Sequence, residues 1–279
     1  MITSAWIRLQ DRPQHKATAS VRFASFADGV AAARSLAQSS LWPTNCRLLD
    51  PGEAAANAGG HGEAILVLGF ESANEPVAAD MDLALRVCAE AGGDISTGAR
   101  VSGPHNDGTT DGPTDAADAW RSAFLRAPYL RDAMVALGCI AETFETAVTW
   151  DRFEDLHEQV VSSASRMLRS LCGGGTITCR FTHVYPDGAA PYFTVLAPSR
   201  HGEQLAMWDE VKAAVSEAII DAGGTITHHH AVGRDHRRWY DHQRPDLFAD
   251  ALTAVKATLD PAGILNPGVL VGPRPHAAR

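Results

Sequence analysis

The sequence predicts an α+β fold: a large antiparallel sheet built from two ferredoxin-like halves, with helices mainly on one face. Two observations carry this. Stretches of period-two and period-3.6 apolar patterning follow one another in β-α-β-β-α order, and the same order returns beyond residue 138. No repeat of the residues themselves accompanies the repeated element order.

The opening "MITSAWIRLQ" places Ile2, Trp6, Ile7 and Leu9 in a strand-like run entered abruptly. "ASVRFASF" (19–26) alternates and reads as a strand, and "FADGVAAARSLAQSS" (26–40) has helical spacing. "NCRLLD" (45–50) is a short strand and "EAILVLGFES" (63–72) a longer one. "EPVAADMDLALRVCAEAGG" (75–93) is a helix with an acidic start and a glycine stop. Residues 92–118 are rich in Gly, Asp, Thr and Pro and are expected to form a mobile loop. A helix (119–138) and a strand (139–150) follow, then an amphipathic helix (151–171). "GTITCRFTHVYPDG" and "APYFTVLAPS" read as paired strands, "GEQLAMWDEVKAAVSEAIIDAGG" as a helix, and "TITHHH" as the closing strand. The last helix, "RPDLFADALTAVKATLD", stops before the irregular tail "PAGILNPGVLVGP".

With 279 residues, 45% hydrophobic and 20% charged, the chain can bury a sizeable core. A net charge of -9 argues against nucleic acid as a partner but not against a small anionic substrate in a locally positive site. The five cysteines form no C-x-x-C pair, which fits unpaired thiols in a reducing, cytoplasmic setting. No apolar run reaches the roughly 18 residues of a membrane span. The chain lacks G-x-G-x-x-G after a strand, a P-loop, a nucleophile elbow and H-E-x-x-H. Cys172 beside "GGG" reads as an ordinary thiol rather than a nucleophile.

Residues 224–240, "GTITHHHAVGRDHRRWY", hold His228, His229 and His230 in succession. On a regular strand His228 and His230 face one way and His229 the other, so the three cannot jointly chelate an ion. A metal would need outside ligands from His183, Asp187, His236 or His242, none at motif spacing. Histidines satisfied by core hydrogen bonds are about as plausible from the residues alone as a proton-transfer cluster active near neutral pH.

"GGTITHHHAVGRDH" and "LDPAGILNPGVL", with "ITSAWIRL", "NCRLLD", "PYLRD", "ETFETAVTWDR" and "CRFTHVYPDGAAPYF" in order, resemble the C-terminal part of alkyldihydroxyacetonephosphate synthases, within the FAD-linked oxidases of the vanillyl-alcohol oxidase superfamily. The likeness covers nearly the whole chain. It implies that His228, His229, His230 and Tyr192 are catalytic, that Arg47 and Arg131 bind an anionic substrate, and that His230 and Asn266 meet the cofactor FAD. Tyr192 stands where metal-dependent relatives keep a ligand, so no metal is expected. "HHHAVGR" departs from the family's "HHHGVGK" at Ala231 and Arg234, where arginine keeps the charge of lysine but not its geometry.

The resemblance further implies a division of the chain. Residues 1–16 would be the last strand of an FAD-binding domain otherwise missing here, 17–260 the cap or substrate domain, and 261–279 a tail returning to the FAD domain. The expected activity of the whole enzyme is exchange of the acyl chain of acyl-dihydroxyacetone phosphate for a fatty alcohol, with this chain alone lacking FAD and activity. An FAD-dependent 2-hydroxyacid or alcohol oxidoreductase and a non-enzymatic binding module remain alternatives. A homodimer is left open.

Overall fold

The computed structural model describes residues 2–104 and 116–271. The first half runs β1 (His15–Phe23), α1 (Phe26–Ala37), β2 (Asn45–Leu49), α2 (Pro51–Asn57), β3 (Ala64–Ser72), α3 (Ala78–Glu90) and β4 (Ala99–Ser102). The second runs α4 (Ala116–Ala136), β5 (Cys139–Glu145), β6 (Val148–Thr149), α5 (Phe153–Cys172), β7 (Thr176–Val184), β8 (Gly188–Pro198) and α6 (Gln204–Asp221), followed by α7 (Arg237–Gln243) and α8 (Asp246–Leu259). The strands form one antiparallel sheet in the order β4-β1-β3-β2-β7-β8-β5, with β6 beside β8.

The order β4-β1-β3-β2 is that of a complete ferredoxin-like unit, and β7-β8-β5 is the same unit without its last strand. The halves join where Leu49 of β2 pairs with Arg180 of β7. The predicted α+β class, its two halves and its broad antiparallel sheet are therefore the observed ones.

Side-chain alternation divides the core between the two faces. Leu48, Leu66, Leu68, Phe144, Phe181 and Phe193 pack in the main core with the buried residues of α1, α3, α5 and α6. Leu49, Ile65 and Val67 point the other way, into a smaller cluster with Ala54 of α2 and Ala116 and Trp120 of α4. That double cover explains why "AILVLGF" in β3 is buried at every position rather than at alternate ones.

Local chemistry sets the helix ends. Ser25 caps α1, its Oγ accepting from Asp28 N at 3.1 Å. Asp50 caps α2, where Pro51 occupies the first turn and Glu53 N donates to Asp50 Oδ1 at 2.7 Å. Gly173, at φ 73°, ends α5 in the left-handed conformation.

Several expectations fail. Residues 2–14 form no strand, and Ile2, Trp6, Ile7 and Leu9 are exposed. Among the described residues their alternation finds no neighbouring backbone to pair with, and of this stretch only Gln14 N bonds to the sheet, at Ser72 O. The loop expected over 92–118 is built at both ends: Asp94 bridges Arg22, β4 pairs with β1, and 116–118 open α4. Residues 105–115 lie outside the described residues. The short helices α2 and α7 were not anticipated. "TITHHH" is not a strand, for reasons given below. The irregular tail is anchored to the loop and α7, with Arg234, Arg237 and Arg244 donating to the carbonyls of Pro267, Gly268 and Leu270 at 3.4 Å each. No described helix is long and apolar enough to cross a membrane. The five cysteines are free thiols, and burial raises the pKa of Cys172, which makes it a poor nucleophile.

Candidate active site

A row of side chains crosses the sheet on the α2–α4 face: Glu145 of β5 opposite Tyr192 of β8, Tyr192 opposite Arg180 of β7, and Arg180 opposite Leu49 of β2. Their chain neighbours Phe144, Phe193 and Phe181 point into the main core. The Arg180 guanidinium lies 3.9 Å over the Tyr192 ring. It also pairs with the buried Glu53 of α2 at 2.5 Å. Thr178 and Asn57 donate to the same carboxylate.

The histidines reach this row through a loop pinned at its base. Gly223 and Gly224 end α6, and Thr225 N donates to Ala147 O at 3.0 Å while Ala147 N donates to Thr225 Oγ1 at 2.9 Å. Gln243 of α7 clamps the other side, accepting from Ile226 N at 3.0 Å and donating to Gly224 O at 2.8 Å. His228 N then donates to Glu145 O, and the chain turns sharply: His229 has φ 58° and His230 N donates to His228 O at 2.7 Å. This left-handed turn stands where the second unit's last strand was expected. It overturns the alternation argument, because the three imidazoles gather on one side instead of dividing between two.

Glu145 is the hub. Its side chain is only 5% exposed. Oε1 lies 3.1 Å from His228 Nδ1, Oε2 lies 3.3 Å from His230 Nε2, and Thr182 Oγ1 donates to Oε1 at 2.7 Å. His183 Nδ1 is 3.8 Å from Oε1, too far for a hydrogen bond, and has no partner although buried. The His183 ring stacks on His229 with centroids 4.5 Å apart. Its pKa is lowered, first by burial and then by the neighbouring His229 and His228. Tyr192 meets the edge of His230 at 5.6 Å, and the Tyr185 hydroxyl lies 3.0 Å from His228 Nε2.

A cleft of about 200 Å³ opens beside the cluster, lined by Arg47, Thr182, His183 and Tyr185, with Leu41 and Trp42 along its apolar side. The Arg47 guanidinium rests 4.3 Å over the Trp120 ring, and burial lowers its pKa. The positive charge expected for an anion is therefore at the cleft wall.

Of the expected site residues, Tyr192, His228, His229, His230 and Arg47 converge here. Arg131 is exposed on α4, and among the described residues no hydrogen bond or ion pair joins it to the cluster. Asn266 sits in the tail at φ 45°, its carbonyl accepting from Val269 N, with no described contact to His230. His236 donates to the carbonyls of Ala231 and Val232 and stays outside the cluster. Reading the sequence alone missed Glu145, Tyr185 and Arg180. Alternation in "CIAETFETAVTW" could have found Glu145, since it places that acid opposite the Phe144 core face.

The set can move protons, and it can also gather ligand atoms: one nitrogen each from His183, His228 and His229 lies within 4.8 Å of the others. Both nitrogens of His228 already have partners, however, in Glu145 and Tyr185.

The family model described as FAD linked oxidases, C-terminal domain, matches residues 12–270. The chain is 29% identical over 158 residues to alkyldihydroxyacetonephosphate synthase of Trypanosoma brucei brucei, covering 57% of this chain and 26% of that protein. It is 32% identical over 167 residues to the enzyme of that name from Caenorhabditis elegans, covering 59% and 28%. A solved structure of an alkyldihydroxyacetonephosphate synthase superposes with a TM-score of 0.66 at 18% identity, over 91% of this chain and 44% of that one, and so shares the fold. The chain thus spans less than half the length of these relatives.

Proposed function

The chain belongs to the FAD-linked oxidase C-terminal domain family, and we propose that it is the substrate-binding cap of an FAD-dependent enzyme of the alkyldihydroxyacetonephosphate synthase kind. In this reading residues 17–260 are the cap, and the enzyme exchanges the acyl chain of acyl-dihydroxyacetone phosphate for a fatty alcohol. The observation that carries it is the buried Glu145 holding His228 and His230 beside a cleft walled by Arg47.

Such an exchange needs a proton acceptor at the reacting carbon, acid help for the departing carboxylate and a cation for the phosphate. Imidazole and phenol groups near neutral pH suit the first two tasks. Arg47 suits the third, because a guanidinium binds phosphate oxygens through parallel hydrogen bonds. Leu41 and Trp42 give the cleft an apolar side for an alkyl chain.

The donor set here fits one end of FAD. The exposed His229, the partly exposed His230 and the Tyr192 ring would meet the flavin ring, while the chain carries no G-x-G-x-x-G turn of the kind that cradles a diphosphate. When bound, FAD supplies the electrophilic ring; orienting substrate and moving protons fall to the side chains above. The test is to supply the FAD-loaded enzyme with acyl-dihydroxyacetone phosphate and a fatty alcohol. Ether product detected by mass spectrometry supports the reading, and its absence with release of neither ether nor free acid rejects it.

A second reading has one observation in its favour. The proximity of His183, His228 and His229 would suit a metal in an FAD-dependent 2-hydroxy acid oxidoreductase. Oxidation of a 2-hydroxy acid that is abolished by a chelator distinguishes it.

A further inference from the structure

Tyr185, unlike Tyr192, was not singled out by its sequence context, yet it is the tyrosine whose hydroxyl touches an imidazole. Its position is tightly fixed. Tyr185 N donates to Gly188 O at 2.8 Å and Gly188 N returns a bond to Tyr185 O at 3.3 Å, closing the β7–β8 hairpin. The indole of Trp150, itself buried, donates to Tyr185 O at 3.0 Å. The Tyr185 ring lies nearly parallel to His183, at 10° and 6.3 Å.

The hydrogen bonds around His228 have one consistent direction. A carboxylate only accepts, so Nδ1 of His228 carries a proton and donates it to Glu145. The neutral ring then presents a lone pair at Nε2, which accepts from the Tyr185 hydroxyl at 3.0 Å. Carboxylate, imidazole and hydroxyl are thus linked in series, the arrangement by which a base is oriented by one group and activates another.

Exposure shows which member meets a substrate. The His228 side chain is 15% exposed with both nitrogens engaged. Tyr185 is 37% exposed and lines the cleft with Arg47. Tyr185 shares the cleft lining with Arg47, whereas His228 is not part of it.

We propose that Tyr185 is a catalytic acid-base residue of this site, with His228 as its proton relay and Glu145 as a positioning residue. The inference rests on the reading of the cluster as proton-transfer machinery. As a base, the Tyr185 oxygen takes a proton from substrate while its own passes to His228 Nε2; the substrate's C–H pair stays on carbon and the imidazolium is held by Glu145. In reverse, the imidazolium returns its proton through Tyr185 to the departing oxygen. No oxidant or reductant is consumed.

Two measurements test this. Side-chain 15N NMR of the 279-residue chain, with His228 assigned through His228→Gln, is expected to show the neutral ring protonated at Nδ1. Glu145→Leu is expected to move that proton to Nε2 or mix the two forms, and if that variant does not fold, the wild-type tautomer still decides. A wild-type His228 protonated at Nε2 overturns the relay. In the FAD-loaded enzyme, Tyr185→Phe is expected to lower kcat by about 10²–10⁴-fold with KM within a few-fold, as for loss of a general acid-base group. An unchanged kcat overturns the catalytic role. If the wild-type enzyme oxidises a 2-hydroxy acid and makes no ether, the exchange reading fails, while the ratio of Tyr185→Phe to wild-type turnover still judges the relay.

Discussion

Glu145 Oε1 lies 3.1 Å from His228 Nδ1, on the far side of the ring from the Tyr185 hydroxyl at Nε2. A metal bound at His228 would have to displace one of these partners. The enzyme's turnover is therefore expected to survive exhaustive dialysis against a chelator. Loss of activity restored by zinc or manganese would contradict this and favour the oxidoreductase reading.

Arg180 is the cation that makes a buried Glu53 tolerable; their side chains are 15% and 4% exposed. Breaking such a pair by removing one member typically costs about 3–5 kcal/mol, because the other charge stays buried. Arg180→Met is expected to fall in that range in urea denaturation. The double variant with Glu53→Leu is expected to recover part of the loss, since no charge is left unpaired.

Gly224 leaves no space for a side chain: an added Cβ would stand 2.5 Å from Leu156 Cδ1 and 2.7 Å from Thr146 Oγ1. Thr146 Oγ1 also donates to Thr225 O, the hydrogen bond at the base of the histidine loop. Gly224→Ala is expected to cost about 1–3 kcal/mol, the usual cost of overpacking. Its histidine NMR signals should shift even where the fold persists, which checks the coupling of this glycine to the site.

His157 sits among the rings of Phe26, Phe153 and Phe193, at 5.4, 5.7 and 6.0 Å. Burial lowers its pKa from 6.5. Between that depressed value and 6.5 the folded chain binds fewer protons than the unfolded chain, so stability rises with pH through the window. The contribution is complete above 6.5 and is lost as pH falls. The urea midpoint is expected to drop between roughly pH 7.5 and pH 5, on the acid side of an ordinary histidine. His157→Leu should show a smaller drop, and an equal drop would reject the assignment.

The two ferredoxin-like halves were legible because each element carries enough apolar repeats to reveal its period, as α5 does with Phe153, Leu156, Val160, Ala164 and Leu168. Helices α2 and α7 were too short for that, although Asp50, Pro51 and Glu53 form a readable start signal for α2. At the site, family resemblance and residue type drew attention to the histidines and Tyr192. The positive φ of His229 could not be read from "THHHA", because a histidine run is as compatible with a strand as with a turn. Glu145 and Tyr185 were hidden for another reason: their roles arise from contacts across 83 and 43 residues of chain.

The most direct test of the central claim is the single-turnover rate of alkyl-for-acyl exchange in the FAD-loaded enzyme, compared between wild type and His228→Gln. The proton-transfer account predicts a fall of about two to four decades, with the fold and substrate affinity retained. Equal rates in the two proteins would contradict it.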